Sequence, residues 1–232
     1  MRTELMNQFS EMTNTDDRAS CCPVARWRRR KEVRPAEILD AALALFVEKG
    51  FKTTKMEDIA KAAGVTKGTP YLYFENKEDI FKAVVRENLV TRLASFAELV
   101  QQFDGSSTDL LRLMMRRWWV EVGESPLGGI CKLMFAEATN FPDLARFYHD
   151  EVIEPSHQML MHVLRRGIER GEFECSNPDA VADTLTAPML LTMTWRCSFG
   201  RVITETTHRS LPPLEYLELS LDLMLNGLKT RK

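Results

Sequence analysis

Residues 53–74 read TTKMEDIAKAAGVTKGTPYLYF, and their pattern decides the fold. A short helix is expected from Thr54, with Glu57 three residues on as the second arm of a capping box. Ile59, Ala60 and Ala63 carry the apolar face, and Gly64 ends the helix. A second short helix starts at the polar Thr66. Two short helices joined by a tight turn led by Gly64 make helix-turn-helix geometry. Ala60 and Ala63 are small enough to let the helices cross closely, while Ile59, Val65, Leu72 and Phe74 are expected to fill the core between them.

Upstream, a helix from Pro35 carries Ile38, Leu39, Ala42, Leu43 and Phe46 on one face and stops at Gly50. Downstream, Asn76-Lys77-Glu78 opens a long fourth helix with Phe81, Val84, Val85, Leu89, Leu93, Phe96 and Val100 in a 3–4 rhythm, broken near Gly105. Further helices are expected at about 108–123, 127–139, 141–171, 178–199 and 212–229, punctuated by proline, glycine and asparagine. No stretch alternates with period two and no internal repeat stands out. The expected fold class is all-α, with three parts: a basic, flexible arm at 1–34, a three-helix helix-turn-helix domain at 35–80, and a larger helical domain at 81–232.

With 232 residues, 44% hydrophobic and 28% charged, the chain fits a soluble globular protein. Its longest apolar stretch is too short to span a bilayer, and the start lacks the pattern of a secretory signal. A cytoplasmic protein without membrane contact is expected. The five cysteines, Cys21, Cys22, Cys131, Cys175 and Cys197, show no CxxC spacing, which argues against a disulfide framework or structural zinc. The net charge of −2 hides an asymmetry: residues 26–82 hold 13 basic and 9 acidic side chains, whereas residues 83–232 hold 16 and 20. Arg26-Trp27-Arg28-Arg29-Arg30-Lys31 concentrates that positive charge, either as an arm along phosphates or as a solvated leader.

The second short helix carries chemistry suited to DNA. Thr66 and Thr69 hydroxyls and Tyr71 and Tyr73 phenols can bond phosphates, Lys67 can reach a guanine edge, and Gly68 permits close backbone approach. Lys77 sits where the next helix meets the backbone. On these residues, together with Ile38-Leu39-Asp40-Ala41-Ala42, Phe46, Gly50-Phe51 and Lys77-Glu78, the sequence resembles the TetR family of bacterial transcriptional repressors. Weaker likeness continues through Phe147-Tyr148 to Glu151-Val152-Ile153 and Arg166-Gly167-Ile168 to Gly171-Glu172-Phe173. The resemblance implies that residues 35–80 are a DNA-binding domain and residues 81–232 a ligand-binding and dimerisation domain, in a homodimer that binds a palindromic double-stranded operator and lets go when a small-molecule effector fills the second domain. By position it implies DNA contacts from Thr66, Lys67, Gly68, Tyr71, Leu72, Tyr73 and Lys77, with Thr54 capping near a phosphate. Pro70 departs from the family pattern. It removes one backbone donor just inside the recognition helix and so bears on the register of Lys67 to Tyr73.

In the body, Leu214, Leu217, Leu221, Met224 and Leu228 follow a 3–4 spacing, and Val181, Leu185 and Met189 line a comparable helix. A two-fold four-helix bundle built from both is the expected dimer interface, with Leu219, Leu223 and Leu225 widening the apolar surface. An apolar or amphipathic effector is expected among Met114, Met115, Trp118, Trp119, Met134, Phe135, Phe141, Met159 and Met189. No cofactor, metal or catalytic residue is expected. Two rival readings follow from particular residues. Glu154-x-x-His157 and Glu205-x-x-His208 have the spacing of di-iron helical bundles, although Pro155 disturbs the first pair. Pro70 invites a helical ligand-binding dimer that has lost DNA recognition.

Overall fold

The computed structural model describes residues 23–203 and 211–228. Residues 1–22 of the arm expected at 1–34, and the Glu205-x-x-His208 pair, lie outside the described residues. Among those described there is no strand, and ten α-helices follow in order. They are α1 (Pro23–Lys49), α2 (Met56–Ala62), α3 (Lys77–Val85), α4 (Thr91–Gln102), α5 (Ser107–Trp118), α6 (Gly128–Glu137), α7 (Pro142–Tyr148), α8 (Glu154–Glu169), α9 (Pro178–Cys197) and α10 (Pro213–Leu228). The chain from Ile38 onward packs as one unit, and the segment up to Glu37 is a second.

Helix α1 begins at Pro23 rather than at Pro35, which lies inside it. Pro23 fits a first turn, and the Arg-, Lys- and Glu-rich run that follows consists of good helix formers. Its C-terminus is closed by side chains. Gly50 adopts φ +85°, a left-handed conformation that costs glycine least. The Thr54 hydroxyl donates to the Gly50 carbonyl at 2.7 Å, Thr53 donates to the Lys49 carbonyl, and the Lys77 ammonium donates to the Phe51 carbonyl at 2.7 Å. These groups serve carbonyls that the helix cannot satisfy itself. The capping box of α2 therefore differs from the expected one. Lys55 occupies the N-cap, its N–H donates to the Asp58 carboxylate at 3.2 Å, and Glu57 is left for another partner.

Three helices expected as continuous contain a π turn each. Arg86–Val90 joins α3 to α4, Trp119–Gly123 extends α5, and His149–Ile153 joins α7 to α8. A π turn inserts one residue and loosens the local hydrogen bonding. Here a nearby hydroxyl serves a carbonyl at each turn. Thr91 donates to the Arg86 carbonyl at 3.0 Å, Ser125 to Val122 at 3.0 Å and Ser156 to Val152 at 2.6 Å.

One apolar core runs from the first helices into the body. Phe46, Phe51 and Phe81 form a triangle of rings with centroids 5.3–5.7 Å apart. Phe141, at the start of α7, stands edge-on to Phe51 at 4.8 Å. Gly129 of α6 lies so close to Val47 of α1 that an added methyl would meet its side chain at 2.5 Å.

Candidate DNA-reading surface and effector cavity

The turn after α2 is built as the glycine spacing predicts. Gly64 has φ +67°, and the Val65 N–H returns to the Ala60 carbonyl at 3.0 Å, a closure that left-handed glycine permits. The segment after it is not a full α-helix. Thr69 N–H bonds the Thr66 carbonyl at 2.9 Å, Leu72 N–H bonds Thr69 at 3.1 Å, and a single 3₁₀ turn spans Pro70–Leu72. The cause is Pro70. An α-helix would require the N–H of residue 70 at the Thr66 carbonyl, and proline has none. The Thr69 N–H takes that carbonyl instead.

This tight turn sets which side chains face outward. Thr66, Lys67, Gly68, Tyr71 and Leu72 are exposed, on either side of the buried Thr69 and Pro70. Leu72, expected in the core, is 77% exposed, while Pro70 is buried in its place. Phe74 is half-buried against the core. Tyr73 and Lys77 are half-buried, and Thr69 is buried with its hydroxyl 2.8 Å from that of Thr66. Thr54 is 1% exposed and its hydroxyl is committed to Gly50, so it does not share this face. Lys67 pairs with Glu57 at 2.6 Å across the surface, and that hydrogen bond raises the lysine pKa. The Lys77 ammonium also sits 4.4 Å from the centre of the Phe51 ring; burial lowers its pKa, against the pull of Glu78 and Glu137. It fastens α3 to the end of α1 rather than standing free toward a phosphate.

Helix α3 then meets the body. Arg86 forks onto the Glu151 carboxylate, with Nε at 2.9 Å from Oε2, and its guanidinium lies 5.0 Å from the Phe147 ring centre. The arginine hydrogen bond lowers the Glu151 pKa. Beside this clamp an open groove of about 510 Å³ runs along α3, lined by residues of both charges from Tyr73 to Glu87.

A smaller, mostly apolar cavity of about 40 Å³ lies inside the body. Leu89 comes from the first π turn and Arg92, Leu93 and Phe96 from α4; Trp118 ends α5 and Val122 lies in the second π turn; Tyr148 ends α7, Val152 lies in the third π turn and Ser156 in α8; Cys131 comes from α6. All three π turns thus meet at one cavity. Cys131 Sγ and the Tyr148 hydroxyl are 3.0 Å apart. Burial pushes the thiol up to about 11 and the phenol well above its ordinary range.

Of the nine effector candidates read from sequence, Trp118 lines this cavity and the other eight do not. Met114, Met115, Trp119 and Met134 are buried in the core, Phe135 is exposed, Phe141 packs on Phe51, and Met159 and Met189 are half-buried at the core's edge. Leu89, Leu93 and Phe96 belonged to the apolar rhythm of the fourth helix; Arg92, Cys131, Tyr148, Val152 and Ser156 carried no sequence signal of a site.

The expected dimer residues also divide. Leu185 of α9 and Leu217, Leu221 and Leu228 of α10 are buried within their own chain; α10 turns its long apolar stripe inward. Arg112 and Arg116 of α5 hold its polar edge through Asp222 at 2.5 Å and Glu218 at 2.9 Å. Val181, Met189, Leu214 and Met224 are half-buried. The outward apolar face consists of Leu191, Leu219 and Leu223. For the metal alternative, Glu154 is exposed at the start of α8, His157 lies 3.9 Å from Asp179, and no group of three metal-ligating side chains occurs among the described residues. Nor is any described helix long and apolar enough to cross a membrane.

An exposed helix-turn-helix face joined to a helical body with an internal cavity defines a DNA-binding regulator. Residues 38–84 match the bacterial regulatory proteins of the tetR family, and residues 104–202 match the tetracyclin repressor-like C-terminal domain. The biofilm operon negative regulator IcaR of Staphylococcus epidermidis is 31% identical over 134 residues, covering 53% of this chain and 71% of IcaR. The transcriptional repressor KstR2 of Rhodococcus jostii is 26% identical over 195 residues, 83% of this chain and 91% of KstR2. The fatty-acid regulator FadR of Bacillus subtilis, solved with stearoyl-CoA, superposes with a TM-score of 0.69 at 22% identity, covering 83% and 98% of the two chains. The chain belongs to the TetR family of bacterial regulatory proteins. It is a transcriptional regulator of that family.

Proposed function

We propose that the protein is a cytoplasmic homodimer that occludes a palindromic operator and releases it when an amphipathic small molecule enters the body. Residues 35–80 act as the reader and 81–232 as the ligand-binding and dimerising part, with the basic arm adding phosphate contacts. The observation that carries this reading is the convergence of three π turns on one cavity, one of which lies in the α3–α4 lever rising from the reader. Thr66, Lys67, Gly68, Tyr71 and Leu72 form the DNA-facing patch, and Leu191, Leu219 and Leu223 form the centre of the two-fold interface. Two readers about one DNA turn apart fit two half-sites. The stearoyl-CoA of the Bacillus subtilis relative supports an amphipathic effector here.

At about 40 Å³ the cavity holds a water or two, so a ligand must push its walls apart. Those walls are the π turns, and Glu151 in one of them grips Arg86 at the foot of the lever. The effector then favours a body conformation in which reader spacing no longer fits DNA. Selection of genomic fragments on ligand-free protein, with Tyr71→Ala as control, tests the proposal. A single palindromic motif lost in the variant is expected. A wild-type protein that enriches nothing would instead favour the helical dimer whose reader the 3₁₀ turn has disabled.

A further inference from the structure

The cavity has one cationic side chain in its wall, Arg92 of α4. The guanidinium groups of α5 are matched by acids: Arg112 with Asp222, Arg116 with Glu218 and Arg117 with Glu121. Arg92 makes no ion pair among the described residues, and its one hydrogen bond is to the Asn88 carbonyl one turn back on the same helical run. A guanidinium offers five donors in a planar fork, and the side chain is half-buried. Three further polar side chains of the cavity are already engaged. Cys131 and Tyr148 satisfy each other, and the Ser156 hydroxyl donates to Val152. The cavity therefore presents a single unmatched charge beside Phe96, Leu93 and Trp118, which is the chemistry of an amphiphile with an anionic head.

We propose that the effector is a monocarboxylate with an apolar chain. Its carboxylate is bound by the Arg92 fork, and its chain lies along Leu93, Phe96 and Trp118. This rests on the cavity being the effector site. Fork-to-carboxylate pairing is stronger and more directional than a contact with a point charge, and an apolar wall on one side weakens the competition from water. A neutral amphiphile of the same length gains the apolar contacts alone, so Arg92 sets specificity for the acid.

Calorimetric titration of full-length protein with decanoate and with methyl decanoate separates head from chain. In the parent protein decanoate is expected to bind at least tenfold more tightly than the ester. Arg92→Gln is expected to bring the two within about threefold by weakening the acid while leaving the ester unchanged, and Arg92→Lys to restore part of the preference. If the parent binds both equally, or if Arg92→Gln keeps the preference, the role of Arg92 is overturned while the cavity reading stands. If neither probe binds the parent, the cavity reading falls and this proposal with it.

Discussion

A methyl group placed on Gly129 would stand 2.5, 2.7 and 3.1 Å from Cγ1, Cγ2 and Cβ of Val47. Carbon atoms in contact rest at about 3.5–4.0 Å, so Gly129→Ala requires α1 and α6 to part by roughly 1 Å. Val47 cannot swing away cheaply, because a β-branched side chain in a helix has one strongly preferred rotamer. Overpacking of this kind costs about 1–3 kcal/mol. The cost should reside in this one contact and be relieved by removing the other partner. Val47→Ala alone, at a half-buried position, is expected to cost about 1 kcal/mol. Combined with Gly129→Ala the two should fall short of additivity by about 1–2 kcal/mol. Urea unfolding of the four proteins at one fixed protein concentration measures the cycle. A Gly129→Ala protein within about 0.5 kcal/mol of the parent, or a double variant showing the full sum of the single effects, would refute the close-packing argument.

Glu151→Gln keeps the shape of the Arg86 clamp and removes its charge. Both partners are partly exposed, so stability should fall by no more than about 1 kcal/mol, while the effector-induced loss of DNA affinity shrinks. Because Arg86 lowers the Glu151 pKa, the pair's contribution is complete above the ordinary glutamate range and disappears as pH falls through the depressed value. The stability curves of parent and variant should therefore run parallel from pH 7 to 5 and converge only in stronger acid; convergence already near pH 6 would contradict the assignment. Leu223→Asp places a carboxylate on the outward apolar face of α10, where 67% of the leucine is exposed in the single chain. Sedimentation should show monomer, with operator binding lost; a persistent dimer would move the interface elsewhere.

The helices and the reader were legible because both rest on local chemistry. Apolar residues at 3–4 spacing, Gly50 and Gly64 at left-handed stops, and Asn76 accepting the Asp79 N–H at the start of α3 act within a few residues. The π turns were not legible. One extra residue shifts the apolar rhythm by less than the width of a helix face, so residues 77–103, 108–123 and 141–171 read as single helices. Periodicity also identifies a stripe without saying what covers it. Leu217, Leu221 and Leu228 form the longer stripe of α10, and the protomer's own core took it, leaving Leu219 and Leu223 outside. Eight of the nine effector candidates lie away from the cavity for the same reason: size and flexibility favour burial, and burial is usually packing. Pro70 lay between these cases. The missing donor was visible in sequence, but its consequence, Leu72 turned outward on a 3₁₀ turn, depended on which carbonyl the Thr69 N–H would take.

Reader and body touch through contacts of two different kinds, and the difference bears on how a ligand could move one against the other. On the α1 side, Val47 against Gly129 and Phe51 against Phe141 are close apolar contacts between helices. Such packing shifts between discrete arrangements rather than stretching. On the α3 side, the connection runs through a π turn and an exposed ion pair, which yield at little cost. A ligand that widens the cavity displaces Leu89, Val122 and Val152 together, since each belongs to a π turn in its wall. Under the proposed mechanism, the displaced end is the α3–α4 junction, and the reader turns about the packed α1–α6 contact as its pivot. The two sides then answer to different substitutions. Gly129→Ala damages the pivot and registers as lost stability, whereas Glu151→Gln loosens the drive and registers in the coupling between ligand and DNA.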